Sequence, residues 1–169
     1  MNQLKCYTLI GIIFVLIIGT LAHFLYAWTG NNFIVGLLTP VNESVWEHMK
    51  LLFFPMLLYS SVLILKLKDS YPCIPSGLYL GLLAGTWLIP PLFYFYTGIL
   101  GKNYLILDIS VFILSTIIAF IIAYKFTLSC ILEPYTPVLL GLVCALLLCF
   151  IFFTSHPPNA EIFAVPEEK

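Results

Sequence analysis

The residues able to do chemistry crowd into one stretch, Asn42-Glu43-Ser44-Val45-Trp46-Glu47-His48-Met49-Lys50, and recur singly as His23, Asp108 and His156. Glu43 and Glu47 stand at i and i+4, so on a helix they share a face, and two close carboxylates have to be neutralised by a proton, a cation or a metal. Imidazole with carboxylate is the donor set of zinc and other first-row divalent ions, and such an ion makes bound water nucleophilic at about pH 7. The constellation is therefore Glu43, Glu47 and Asp108 as candidate catalytic carboxylates, His23, His48 and His156 as candidate metal ligands, and Asn42 and Trp46 in support. A plainer reading competes with it. Glu47 and Lys50 can pair at i,i+3, Trp46 can anchor at lipid headgroups, and Thr39 or Asn42 can cap a helix whose first turn accepts Pro40. The acids would then complement the helix dipole, and the stretch would be an interfacial helix start. Known motifs do not choose between the two. HExxH is absent, H-x-x-E-H fails because Ser44 occupies the first histidine position, and there is no G-x-S-x-G, P-loop or dinucleotide fingerprint. Asn42-Glu43-Ser44 matches a glycosylation sequon, a pattern short enough to arise by chance.

The elements that must position these residues are apolar. A helix needs about 20 mostly apolar residues to cross a bilayer, and only helices or closed barrels satisfy their backbone groups in lipid. Runs without period-2 alternation select helices, and five are expected: 6–28, 42–65, 77–96, 104–124 and 134–153. The fold class is an all-α integral membrane protein, a bundle of about five transmembrane helices forming one domain over 1–169. Lys5 ahead of an apolar run, with Thr20-Leu21-Ala22 behind it, resembles a cleavable leader, but the run is long and ends in aromatics, so a retained first helix is expected. Pro55, Pro90-Pro91, Pro134 and Pro137 punctuate the spans, and the Pro90-Pro91 pair is the expected bend. The apolar connection 31–40 is expected in the interface or as a shallow re-entrant turn.

On those spans all three histidines fall at one membrane face, with Asn42, Glu43, Glu47 and Asp108 in the same layer, whereas the other face carries mainly lysines, Asp69 and Glu133. At a rise of about 1.5 Å per residue, His23, Glu47, His48 and Asp108 fall within about 10 Å of one another in depth. Lysines enriched at cytoplasmic helix ends put Lys5, Lys66, Lys68 and Lys125 inside and Lys50, Lys102 and Lys169 outside. The expected location is the cytoplasmic membrane, with the N-terminus in, the C-terminus out and the polar layer at the outer face.

With 62% hydrophobic residues, 9% charged residues and a mean hydropathy of +1.07, the chain cannot hide its apolar surface in a water-soluble fold. There is no arginine and the net charge is −1, which removes the basic stripe that nucleic-acid binding needs. The partners expected are the lipid bilayer and a second copy or another membrane protein, although no small-residue spacing singles out a dimer face. Five scattered cysteines with no CxxC are expected as ordinary thiols, and the orientation above puts Cys6, Cys73 and Cys130 near the reducing side. The tail 160–169 is expected to lie on the surface or move.

At Asn42-Glu43-Ser44-Val45-Trp46-Glu47-His48-Met49-Lys50, Phe153-Thr154-Ser155-His156-Pro157-Pro158 and Ile162-Phe163, the chain resembles an uncharacterised family of small bacterial multi-pass membrane proteins with an NESVWEH motif. The resemblance implies a bacterial membrane location and no established reaction. Where that family has an aspartate and a proline after the phenylalanine, this chain has Ala164-Val165-Pro166. Three functions stay open: a polar, metal-binding pocket acting on a lipid or membrane-associated substrate with a divalent cofactor such as zinc; a proton- or cation-coupled transporter or channel component; and a non-catalytic membrane assembly factor.

Overall fold

The computed structural model describes residues 3–166, so Lys169, counted above among the outer lysines, lies outside the described residues. Six α-helices follow one another: α1 (Gln3–Trp28), α2 (Phe33–Leu38), α3 (Val45–Leu67), α4 (Ile74–Leu100), α5 (Leu105–Ser129) and α6 (Thr136–Ser155). Single 3₁₀ turns stand at Glu133–Tyr135 and Glu161–Phe163. No strand occurs among the described residues, and five helices, all but α2, are long and apolar enough to cross a membrane. The chain is an all-α membrane bundle.

Two features differ from expectation in ways that matter for the site. The apolar connection after α1 contains the short helix α2, whose first free N–H groups, on Ile34 and Val35, donate to the Asn32 side-chain oxygen at 3.0 and 3.3 Å. α3 begins at Val45 rather than at residue 42, because Ser44 is its N-cap and accepts the Glu47 N–H on its hydroxyl at 3.3 Å. Glu43 therefore lies before the helix and does not share a helical face with Glu47. α4 runs uninterrupted through the Pro90-Pro91 pair to Leu100.

The core gathers around α3. Met49, Leu52, Phe53 and Met56 are buried against Val15 of α1, Leu82 of α4, Phe120 of α5 and Phe150 of α6. Side chains such as Ile13, Leu65, Ile106 and Leu148 stay exposed, as a bundle solvated by lipid tails allows. With lipid as apolar as leucine, helix association rests on close packing and buried polar contacts. α4 and α5 pack on that principle. Gly77, Gly81 and Gly85 recur every fourth residue on α4, and a Cβ on any of them would run into Ala119, Ala123 or Thr127 of α5. The small-residue spacing is thus spent inside one chain. Across the bundle, the Tyr59 hydroxyl of α3 donates to the Tyr7 carbonyl of α1 at 2.5 Å.

The cysteines differ from expectation as well. Cys73, before α4, and Cys130, after α5, are joined in a disulfide with their Cα atoms 5.2 Å apart. They are 57 residues apart in sequence, but α4 and α5 run antiparallel and return the chain to the same end of the bundle. Cys6, Cys144 and Cys149 are free.

Candidate metal centre

At the end of the bundle opposite the disulfide, a tight turn ahead of α3 aims Glu43. The Asn42 side-chain oxygen accepts the Ser44 N–H at 2.9 Å, and Ser44 then caps the helix, so the residue between them projects away from α3's axis toward α1. Glu43 meets His48 from the first turns of α3 and His23 from the last turns of α1. One carboxylate oxygen lies 3.3 Å from His48 Nε2 and the other 3.9 Å from His23 Nε2, and the two imidazole centroids are 5.3 Å apart. One ligating atom from each of the three residues falls within 4.8 Å of the others, close enough for one ion to touch all three.

The protons on His48 follow from its neighbours. Nδ1 stands 2.9 Å from the Ser44 carbonyl oxygen, which can only accept, so Nδ1 carries the hydrogen. Nε2 then presents either a lone pair or a second proton to the Glu43 carboxylate. A lone pair facing a carboxylate at 3.3 Å is repulsive unless a cation lies between them, so the pair requires a proton or a metal ion. On His23 it is Nε2 that faces Glu43, while its buried Nδ1 has no hydrogen-bond partner among the described residues. The Glu43 carboxyl is held below its usual range, first by the hydrogen bond from His48 and further by the positive imidazoles, against an opposing push from burial.

The three residues line one side of a cavity of about 720 Å³ whose other walls include Ile89, Phe93, Leu105 and Asp108. Asp108, in the first turn of α5, accepts a short hydrogen bond from the Tyr96 hydroxyl of α4. The remaining expected residues go elsewhere. Glu47 is 3% exposed and pairs with the fully buried Lys50 at 2.7 Å, while accepting the Val41 N–H at 3.0 Å. Lys50 also donates to the Thr154 hydroxyl at 2.6 Å and the Gly36 carbonyl at 3.0 Å, which ties α2, α3 and α6 together. Removing one partner of such a buried pair typically costs ~3–5 kcal/mol, because the other is left uncompensated in an apolar interior. Trp46 is not at the headgroups. Its ring is buried among Phe150, Phe153 and Phe163, with centroids 4.7, 5.7 and 4.9 Å away. His156 caps α6, exposed and stacked on Phe152 at 5.1 Å, outside the three-residue cluster.

The sequence profile of a family of unknown function, DUF6512, matches residues 1–166. The chain belongs to that family. No curated protein and no solved structure matches it. For this DUF6512 member the functional reading therefore rests on the chain's own geometry. Sequence reasoning missed two contributors to that geometry, Tyr96 and the Ser44 cap. Ser44-Val45-Trp46-Glu47 carries the S-x-x-E spacing of a capping box, a signal that places the start of α3 after Ser44. Nothing in the sequence pairs Tyr96 with Asp108.

Proposed function

We propose that this chain is a metal-binding membrane protein whose site is formed by His23, Glu43 and His48, and that it acts on a lipid or membrane-associated substrate in the adjoining cavity. The observation that carries the reading is the convergence of two imidazoles and a carboxylate from α1, the pre-α3 turn and α3 within 4.8 Å. Two nitrogens and one oxygen with an open position fit a catalytic zinc site better than a closed structural one. The Ser44 carbonyl on His48 Nδ1 is the outer contact that fixes a ligating imidazole's tautomer. A bound divalent ion would supply an acidified water or a Lewis acid there. The chain's own further contribution is Asp108, oriented by Tyr96 across the same cavity, where its carboxylate can accept a proton from a polar group of the substrate.

A second reading has its own support. The gap between His48 Nε2 and Glu43 is also filled by a single proton, so the pair can serve a proton- or cation-coupled pathway. Elemental analysis separates the two. Purified protein supplied with zinc should hold about one ion per chain, a His23→Ala/His48→Ala variant should hold none, and His156→Ala should keep it. No metal in the wild-type protein would leave the proton reading.

We read the end bearing this cluster as the outer face, because Lys5, Lys66, Lys68 and Lys125 cluster at the opposite end. The Cys73–Cys130 disulfide lies at that lysine-rich end and favours the reverse orientation, since disulfides are rare in reducing compartments.

A further inference from the structure

The segment after α6 leaves the bundle at His156 and returns to it. After Pro157-Pro158 the chain turns through the 3₁₀ segment Glu161–Phe163, and Phe163 enters an aromatic cradle, 4.9 Å from the Trp46 ring and 5.5 Å from the Phe153 ring. Ile162 and Phe163 are both packed against the main core. Within the described part of the tail, Ile162 and Phe163 are docked on the bundle, whereas Glu161, Ala164 and Val165 lie at the surface as expected. Two residues beyond the anchor, Val165 and Pro166 line the same cavity as His23, Glu43, His48 and Asp108. Pro166 also lines a neighbouring cavity of about 320 Å³, sharing Val45, Phe93 and Asn103 with the first, so it stands between the two.

We propose that residues 161–166 are a built wall of the pocket, held in place by Phe163, and that Val165 and Pro166 determine what reaches the His23–Glu43–His48 cluster. The proposal rests on the reading of that pocket as the functional site. The histidine–glutamate cluster, Asp108 and Asn103 supply the polar part of the lining, while Val165, Pro166, Ile89, Phe93 and Leu105 supply an apolar part. Such a chamber takes an amphiphile with its polar end toward the cluster and its apolar portion against the tail and α4. Bulky hydrophilic molecules are turned away, because they would leave polar groups unpaired against the apolar wall. Proline at 166 suits a wall, since its fixed φ reduces the freedom of the segment that has to stay in place.

The test reads the wall without needing a metal. In full-length protein whose free cysteines Cys6, Cys144 and Cys149 are replaced by serine, Ile89→Cys places a thiol on a buried pocket residue outside the cluster. Its reaction with a bulky hydrophilic maleimide should be slow. Adding Phe163→Ala should accelerate it about tenfold or more, since the half-buried aromatic anchor is lost, while Phe163→Leu, which keeps an apolar plug, stays near the parent rate. An unchanged rate in Phe163→Ala of retained helix content overturns the proposal. Independently of Phe163, a Val165→Cys/Ile89→Cys pair should be joined by a short bismaleimide, and failure to cross-link would equally overturn it. Acceleration and cross-linking in protein that holds no zinc would establish the wall while removing the metal site; stoichiometric zinc with no acceleration would do the reverse.

Discussion

Glu43, His23 and His48 divide the work of ion binding unequally. The hydrogen bond from His48 keeps Glu43 ionised throughout the neutral range, so competition between protons and a divalent ion is set by the two imidazoles. A protonated imidazole cannot ligate. Zinc affinity should therefore fall on acidification, as protons displace the ion from the imidazoles, and Glu43→Gln, which removes the anionic donor, should weaken binding across the range. Competition titrations against a chromogenic zinc indicator at a series of pH values measure both, and a midpoint near ~4 would assign the dependence to the carboxylate instead. At this scale the sequence was partly legible. Expensive ionisable residues at matching depths on different spans brought His23, Glu43, His48 and Asp108 into one layer. Lateral convergence was not legible, because it depends on which helix faces meet. The start of α3 was less legible: assigning Glu43 to the same helix made the two acids partners, whereas the Ser44 cap sends Glu43 to the histidines and leaves Glu47 in the i,i+3 pair with buried Lys50 that the spacing also offered.

Among the elements, the α4–α5 hairpin is the most tightly specified. The four-residue spacing of Gly77, Gly81 and Gly85 was open to view in the sequence, but such spacing announces close helix approach without naming the partner helix, and here the partner is the next element in the chain. Substituting Gly81→Val forces a side chain into the Ala119 carbonyl and should cost about 1–3 kcal/mol. Gly98→Ala, where a Cβ meets open space, should be neutral or slightly stabilising. Thermal unfolding in one detergent, with both variants beside the wild type, checks the contrast. The disulfide closing the far end of the same hairpin escaped the sequence for a related reason. Nothing marks Cys73 and Cys130 as a pair until the two helices between them are known to be antiparallel neighbours.

For the whole molecule, five spans were legible because length and hydropathy suffice to define them, while their ends were less so, with α4 and α5 running on to Leu100 and Ser129 past the expected 96 and 124. Orientation stands on opposed signals, lysines against a disulfide, and labelling intact cells separates them. With the cluster end outside, Thr29→Cys should react with an impermeant maleimide while Ile131→Cys at the other end should not. The reverse pattern would put the disulfide in the oxidising compartment and the pocket toward the cytoplasm. The burial of Trp46 carries a consequence for how this molecule can be watched. Its indole shares one apolar enclosure with Phe163, while Trp28 and Trp87 are 66% and 50% exposed on the outer surface of the bundle. Trp46 is thereby an optical gauge of the pocket wall, native to the chain and readable in ultraviolet emission without an added label.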